Sequence, residues 1–134
     1  MNEFRWPIRV YYEDTDAGGV VYHAGYVRWF ERARTEWLRS LGWSLAEVAR
    51  EQGVLFSVVD LQIHYHRPAR LDDLLEVVCT ARVSGGASIE FDQRLLRGDE
   101  LLASGKVMVA SIDAASFRPR RLPSDMRERF ANGV

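Results

Sequence analysis

The chain contains 134 residues, of which 47% are apolar and 28% are charged. A chain of this length and composition can bury the core of one globular domain, which excludes an intrinsically disordered protein. The formal net charge is −1, so bulk electrostatics attract neither nucleic acid nor an anionic membrane. No apolar stretch approaches the ~20 residues that span a bilayer, and the amino-terminal segment lacks the apolar region of a signal peptide. The sequence therefore predicts one cytoplasmic domain over residues 1–134, without membrane insertion.

Cys79 is the one cysteine of the chain, which excludes an intramolecular disulfide. It lies in a run in which apolar and polar residues alternate. This pattern favours a buried structural thiol over an exposed reactive one.

The first half of the chain changes from a strand pattern to a helix pattern. A strand is predicted for residues 5–12, and the polar turn EDTDAGG follows it. Residues 24–41 form an amphipathic helix, with Arg32 and Glu36 as an i,i+4 pair on its polar side. Gly42 suits the end of this helix. Its apolar stripe repeats every three to four residues and contains Tyr26, Phe30, Ala33, Trp37 and Leu41.

A second short helix and four strands complete the prediction. Ser44 and Glu47 match a capping box, so a helix should begin there and end at Gly53. The segment Pro123-Ser124-Asp125 indicates the start of a further helix near the end of the chain. Four β-rich segments, separated by short turns, lie between these helices at residues 54–67, 75–83, 89–95 and 101–112.

The short connections between these segments imply antiparallel neighbours, because parallel pairs require crossovers of about a dozen residues or more. One sheet with one main helix is a two-layer α+β domain. Such a sheet leaves its second face and its edges uncovered, which favours self-association.

The segment richest in candidate chemistry is residues 11–26, YYEDTDAGGVVYHAGY. It contains three carboxylates, two adjacent glycines and a histidine just before the long helix. A solvated acidic turn is the simplest interpretation. However, Gly18 and Gly19 allow a ligand to approach the backbone closely, and the helix start supplies unpaired N–H donors. A carboxylate opposite such donors is what thioester hydrolysis requires, since the donors stabilise the oxyanion while the carboxylate attacks or activates water.

Residues 9–42, RVYYEDTDAGGVVYHAGYVRWFERARTEWLRSLG, resemble the 4-hydroxybenzoyl-CoA thioesterase family of the hotdog fold. More narrowly, they are similar to the bacterial acyl-CoA thioesterases encoded with the Tol-Pal envelope system (the YbgC type). The later segment HYHRPARLDDLLEV agrees with that fold. The resemblance implies an α+β hotdog fold, in which an antiparallel sheet of about five strands wraps around one long helix.

The same resemblance implies roles for individual residues. The family's catalytic aspartate corresponds to Asp16, and its carbonyl-polarising backbone N–H lies at about His23. Tyr12 and His23 match side chains beside that site, where His23 acts through its ring or only through its backbone. The residues expected to contact substrate around them are Gly18, Gly19, Ala24 and Gly25.

The resemblance also implies a substrate and an assembly. The substrate is an acyl-CoA or the related acyl carrier protein thioester, and coenzyme A enters as part of the substrate rather than as a cofactor. The assembly is a homodimer with a continuous sheet, often paired into a homotetramer, with pantetheine entering between subunits. Relatives specialised for hydroxybenzoyl groups carry a Pro-Ala-Gly turn. This chain has Ala17-Gly18-Gly19 instead, which favours short- to medium-chain aliphatic acyl groups.

Three groups outside this segment are weaker candidates. Ser57 should lie near the partner subunit's site in the hotdog arrangement. Arg118, Arg120 and Arg121 either contact the phosphates of coenzyme A, since arginine recognises phosphate with paired donors, or form a solvated tail.

His64 and His66 share one face of a strand, but two histidines without a third ligand favour a structural or interface role over a metal site. The tryptophans of the first half are expected in the core or at an interface, namely Trp29, Trp37 and Trp43.

Two other functions fit the same sequence. One is an acyl-thioester hydratase or dehydratase on the same fold, with His23 and Asp16 as an acid–base pair. The other is a non-catalytic module that binds acyl-CoA or an acyl carrier. Release of free coenzyme A distinguishes the thioesterase from both.

Overall fold

The computed structural model describes residues 2–131. They form five strands and three α-helices, with one turn of 3-10 helix at Tyr12–Asp14. The strands are β1 (Phe4–Arg9), β2 (Val54–Tyr65), β3 (Leu74–Ser84), β4 (Ser88–Arg97) and β5 (Glu100–Asp113). The helices are α1 (His23–Ser40), α2 (Leu45–Gln52) and α3 (Ser124–Ala131). Each predicted element is present, and most of the predicted boundaries lie within two residues of the observed ones.

The five strands form one antiparallel sheet in the order β1-β3-β4-β5-β2. The predicted antiparallel arrangement is therefore confirmed. The edge strand β2 pairs with β5 on one side and has a bulge between Val58 and Asp60. Its other side leaves backbone N–H and C=O groups unpaired within this sheet, as at any sheet edge.

Helix α1 packs across the inner face of the sheet and supplies its apolar stripe to the core. Trp29, Phe30 and Ala33 are buried there. A side-chain carbon at Gly105 on β5 would lie 2.9 Å from the Phe30 ring, so the glycine permits this close approach of helix and sheet. Full burial of one large apolar side chain contributes about 1.5–3 kcal/mol, so this stripe fixes the helix on the sheet.

The predicted burial of the tryptophans and of the cysteine is confirmed. Trp37 is buried with Trp29, Trp43 packs against the core, and Cys79 is fully buried. Helix α3 covers the core near Trp37, because the Phe130 ring packs edge-on against the Trp37 ring with centroids 5.6 Å apart.

Three local predictions were wrong. Strand β1 ends at Arg9 rather than at residue 12, because the Asp14 carboxylate accepts the Tyr11 N–H at 2.8 Å and draws the chain into the 3-10 turn. Ser44 precedes α2, but its side chain makes no capping hydrogen bond. The predicted partner of Arg32, Glu36, is paired instead with Arg39 one turn further along the helix.

Candidate active site

The acidic segment folds into a small hairpin, residues 15–21, which we call the acidic hairpin. Its two arms pair at Thr15 and Val21. The Asp16 N–H donates to the Val20 carbonyl at 2.9 Å, and the Gly19 N–H donates to the Asp16 carbonyl at 3.0 Å. Gly19 has φ +80°, in the left-handed region that favours glycine, and this allows the tight turn. The backbone therefore fixes Asp16 at the base of an exposed loop.

The Asp16 carboxylate is exposed and only partly engaged. One oxygen, Oδ1, accepts the Gly18 N–H at 2.8 Å, which orients the carboxylate within the loop. A side-chain carbon at Gly18 would lie 3.2 Å from that same oxygen, so a glycine here leaves the carboxylate room. A second carboxylate oxygen remains for a substrate or a water molecule.

Asp14 lies two residues earlier and is held quite differently. Its side chain is only 13% exposed and forms an ion pair with Arg28 on α1 at 3.7 Å, in addition to its bond with the Tyr11 N–H. Its backbone carbonyl accepts the Tyr22 N–H at 3.0 Å. Asp14 therefore ties the turn to the start of α1. This supports Asp16, rather than Asp14, as the carboxylate available for chemistry.

The start of α1 presents backbone donors without a side-chain cap. Tyr22 occupies the N-cap position and makes no capping hydrogen bond with its side chain. The Gly25 N–H donates back to the Tyr22 carbonyl at 2.8 Å. The N–H groups of His23 and Ala24 precede the first helical bond and have no acceptor within the helix. These two amides carry the positive end of the helix dipole and favour negative charge.

The acidic hairpin and the helix start are fastened to the loop that follows β2. The Val21 N–H donates to the Ala69 carbonyl at 2.9 Å, and the Ala69 N–H donates to the Tyr26 hydroxyl at 3.1 Å. Tyr26 is buried within the first turn of α1. These bonds hold the backbone on both sides of Tyr22 in place.

A cleft of about 290 Å³ opens beside the helix start. His23 lines it from α1 with an exposed ring, which lies 4.3 Å from the ring of Tyr22. Tyr65, the last residue of β2, faces His23 and donates its hydroxyl to the His23 carbonyl at 2.8 Å. The remaining walls are Val21, Tyr26, His66, Arg67 and Pro68.

Sequence reasoning did not identify Tyr65. Tyr65 lies two residues after Ile63 in the same strand, so the two side chains point to the inner face of the sheet. This spacing was the one signal in the sequence that could have identified Tyr65. Burial raises the pKa of the Tyr65 hydroxyl above its usual value, with a smaller contribution from Tyr26. Tyr65 is therefore a neutral hydrogen-bond donor at neutral pH.

Tyr12 lies in the 3-10 turn rather than in β1, and 83% of its surface is exposed. Its backbone carbonyl accepts the Thr15 hydroxyl at 2.8 Å. The sequence placed Tyr12 beside Asp16, whereas the hydrogen bond that orients Asp16 comes from the Gly18 backbone. The role of the Tyr12 side chain at the site stays a prediction.

Ser57 and the arginines lie toward the opposite end of β2 from the cleft. Strand β2 runs for twelve residues from Val54 to Tyr65, a span of roughly 35 Å. Arg120 donates to the Gly53 carbonyl at 3.0 Å and pairs with Asp113 at 3.3 Å, next to the start of that strand. Ser57 is half-buried in the first half of β2. Within this chain, these residues are therefore remote from Asp16.

Arg118 and Arg121 lie in the same segment as Arg120. Arg118 is exposed, and its backbone carbonyl accepts the Asp113 N–H at 2.8 Å. The guanidinium of Arg121 covers Gly86, where a side-chain carbon would lie 3.0 Å away. Arg120 and Arg121 therefore hold their guanidinium groups against the protein, at Asp113 and at Gly86 respectively.

His64 and His66 lie near the end of β2 with ring centroids 6.5 Å apart. The His66 Nε2 is hydrogen-bonded to the Ser104 hydroxyl at 2.9 Å, which gives this ring a structural contact. Across residues 2–131, no three His, Cys, Asp or Glu side chains are grouped so that they could hold a metal ion. None of the helices in that part of the chain is both long and apolar enough to cross a membrane.

Comparison with known proteins places these features in a family. The model of the thioesterase-like superfamily matches residues 10–130. The acyl-CoA thioesterase YbgC of Haemophilus influenzae is 46% identical over 129 residues, which cover 96% of this chain and 95% of that protein.

Solved structures give the same result for the fold. A probable thioesterase from Bartonella henselae superposes with a TM-score of 0.86 at 38% identity, covering 91% of this chain and all of that one. A DHNA-CoA thioesterase from Staphylococcus aureus superposes with a TM-score of 0.88 at 27% identity, covering 96% and 88%. With the five-stranded sheet around α1, these superpositions confirm the predicted hotdog fold.

Proposed function

Because this chain belongs to the thioesterase-like superfamily, we propose that it hydrolyses acyl-CoA thioesters and uses the Asp16 carboxylate to do so. The observation that carries the proposal is the pairing of two features around one short hairpin. Asp16 is exposed and its carboxylate accepts one backbone hydrogen bond, while α1 begins just beyond the hairpin without a side-chain cap. A carboxylate and a pair of open amide donors therefore lie close together in the chain.

The amide donors fit the charge that develops during thioester cleavage. The thioester carbonyl oxygen binds to the N–H groups of His23 and Ala24, and attack at the carbonyl carbon places a negative charge on that oxygen. One such preorganised donor contributes about 10²–10³ in rate. The Gly25 N–H is already bonded to the Tyr22 carbonyl, and this bond polarises the Tyr22–His23 peptide and strengthens the His23 N–H as a donor.

Asp16 has two chemically consistent roles. As a nucleophile, its carboxylate adds to the carbonyl carbon and expels the thiolate of coenzyme A, leaving a mixed anhydride that water then hydrolyses. As a general base, it takes a proton from water while that water adds to the carbonyl, and the thiolate leaves and is protonated. In both cases the products are the free acid and coenzyme A. The His23 ring, exposed in the cleft, is placed to move a proton in either route.

The proposal includes a homodimer, with a homotetramer as its further assembly. β2 is a long edge strand, and Val58, Val59 and Leu61 on it are exposed. Antiparallel pairing of β2 with its copy would form a continuous sheet and bring the Val54 end of one strand toward the Tyr65 end of the other. Residues remote from Asp16 within one subunit would then approach it in the assembly.

This arrangement gives a use to the residues at the far end of β2. Ser57 from the second subunit would line the substrate path beside Asp16, and Arg118 would meet a phosphate of coenzyme A with paired donors. Arg120 is paired with Asp113 and would contribute more to the fold of that segment than to binding. Gly18 and Gly19 leave space for the pantetheine arm at the hairpin.

Short- to medium-chain aliphatic acyl groups remain the proposed substrates, on the basis of the Ala17-Gly18-Gly19 turn. Acyl carrier protein thioesters are the second candidate carrier. We place the protein in the cytoplasm and associate it with the Tol-Pal system by its similarity to the YbgC type alone.

Two assays distinguish this function from its rivals. Purified protein is incubated with an acyl-CoA series from acetyl to lauroyl, and free thiol is measured. A thioesterase releases one thiol for each acid formed, whereas a non-catalytic binding module shows saturable binding with no thiol released. Crotonyl-CoA tests the hydratase rival, because hydration removes the double bond and leaves the thioester intact. Hydration without thiol release would contradict the proposed function.

A further inference from the structure

Tyr65 connects the edge strand β2 to the helix start, and neither the sequence motif nor the proposed chemistry includes it. Its hydroxyl donates to the His23 carbonyl at 2.8 Å. Within α1, that carbonyl also accepts the regular i→i−4 helical bond from the Val27 N–H. A carbonyl oxygen has two lone pairs, so both bonds form together. Tyr65 therefore adds a second donor to the first peptide group of α1.

This extra bond acts on the Ala24 amide. The His23 carbonyl and the Ala24 N–H belong to the same peptide unit, which is conjugated. A hydrogen bond to the oxygen draws electron density from the nitrogen, so the N–H becomes a stronger donor, by an estimated 10–30% per bond in such chains. The Ala24 N–H is one of the two open amides at the helix start.

The Tyr65 ring is held in the orientation that this bond needs. It packs edge-on against the buried Tyr26 ring, with centroids 5.1 Å apart and planes at 79°. Tyr26 is itself fixed by its bond from the Ala69 N–H and by its edge-on packing against Trp29. Tyr65 lines the cleft, and about half of the residue is exposed.

We infer that Tyr65 is a positioning residue of the thioesterase site: its hydroxyl orients and polarises the His23–Ala24 peptide so that the Ala24 N–H serves as the second oxyanion donor. This inference rests on the proposed function, in which the open amides bind the thioester oxygen. Tyr65 does not touch the reacting atoms. The Ala24 N–H that Tyr65 polarises binds the thioester oxygen more strongly as negative charge develops on that oxygen. Loss of the Tyr65 hydroxyl should therefore destabilise the transition state more than the bound substrate.

The test is Tyr65→Phe, which keeps the ring and its packing on Tyr26 and removes only the hydroxyl. We expect kcat to fall about three- to tenfold, the loss typical of one hydrogen bond, while KM stays within about twofold. In the ¹⁵N–¹H spectrum of the substrate-free protein, the Ala24 amide proton should move upfield. Tyr11→Phe is the matched control, because Tyr11 is exposed and precedes the acidic hairpin; both readouts should be unchanged.

The outcomes separate this inference from the proposed function. If Tyr65→Phe keeps the wild-type kcat, or if the Ala24 resonance does not move, the positioning role is wrong while hydrolysis by the wild-type protein still stands. A rise in KM with unchanged kcat would also overturn it, because Tyr65 would then bind the substrate directly. If the wild-type protein releases no thiol, the proposed function fails, and the Ala24 resonance still reports whether Tyr65 polarises the peptide.

Discussion

The acidic hairpin and a polar cluster between α1 and the sheet both contain charged side chains, but they differ in how those side chains are partnered. We define the buried polar cluster as Arg34, Cys79 and Gln93. Arg34 is 8% exposed and donates to Gln93 Oε1 at 2.9 Å. The Gln93 amide donates to the Phe30 carbonyl at 2.9 Å and to the Cys79 sulfur at 3.1 Å. In the hairpin, the Asp16 carboxylate accepts one backbone hydrogen bond, and Asp16 is exposed to solvent.

This difference indicates how polar residues divide between folding and chemistry. Burying an unpaired polar group costs free energy, so the cluster is stable only because its members satisfy one another. The hairpin instead leaves a carboxylate oxygen of Asp16 for a ligand, and the start of α1 leaves the amide groups of His23 and Ala24. The same logic separates Asp14, which is bonded to Tyr11 and Arg28, from Asp16 only two residues away.

Gln93→Met should produce the largest loss of stability among the tests of the cluster. The substitution keeps the length of the side chain but removes the acceptor for Arg34 and the donor to the Phe30 carbonyl. We expect a loss of about 3 kcal/mol in the free energy of unfolding, because a buried guanidinium loses its partner. Urea unfolding measures the change, and turnover per folded molecule should stay near the wild-type value. A fully stable Gln93→Met protein would show that the cluster does not support the fold.

Cys79, in the buried polar cluster, should make the stability of the protein depend on pH. Burial raises the pKa of the Cys79 thiol from 9.0 to about 11, against smaller opposing effects of Gln93 and Arg34. The unfolded chain therefore loses the thiol proton first as pH rises. The contribution of the protonated Cys79 thiol to the free energy of unfolding is complete below pH ~9 and is lost as pH rises through about 11. The loss is on the order of 2 kcal/mol.

Cys79→Ala is the matched variant for this effect. It has no thiol to titrate, so the stability difference between it and the wild-type protein should shrink as the pH rises from 8 to 11. Urea midpoints across this range measure the difference. A constant difference would contradict a buried neutral thiol.

The elements with strong periodicity were predictable from the sequence. The apolar stripe of α1 and the alternation in β3 identified these elements within two residues of their ends. The three carboxylates of residues 13–16 and the two glycines that follow them were also visible as a motif. What the sequence did not show was which carboxylate is tied down, because the Arg28 partner of Asp14 is fixed by where α1 packs.

The contacts that depend on strand register were not predictable. Gln93 meets Arg34 only because β4 passes beneath the middle of α1, and Tyr65 meets His23 only because β2 ends beside the first turn. Both are side-chain contacts between residues more than forty positions apart in the chain. At Ser44 the sequence predicted a contact that is not present: the local capping pattern is good, but the Ser44 side chain makes no capping hydrogen bond.

The central claim, that Asp16 performs the chemistry while its neighbour Asp14 holds the site together, is tested most directly by comparing Asp16→Asn with Asp14→Asn. Both substitutions remove one charge and keep the side-chain shape. For each variant, thiol release and the urea midpoint are measured together on the same preparation.

The account predicts opposite results for the two variants. Asp16→Asn should unfold at the wild-type urea midpoint, because the amide oxygen still accepts the Gly18 N–H, yet lose about 10²–10⁴ in kcat. Asp14→Asn should lose about 1 kcal/mol of stability, through its weakened bonds to Tyr11 and Arg28, and keep kcat within a few-fold. Wild-type turnover by Asp16→Asn, or an inactive but fully stable Asp14→Asn, would contradict the assignment.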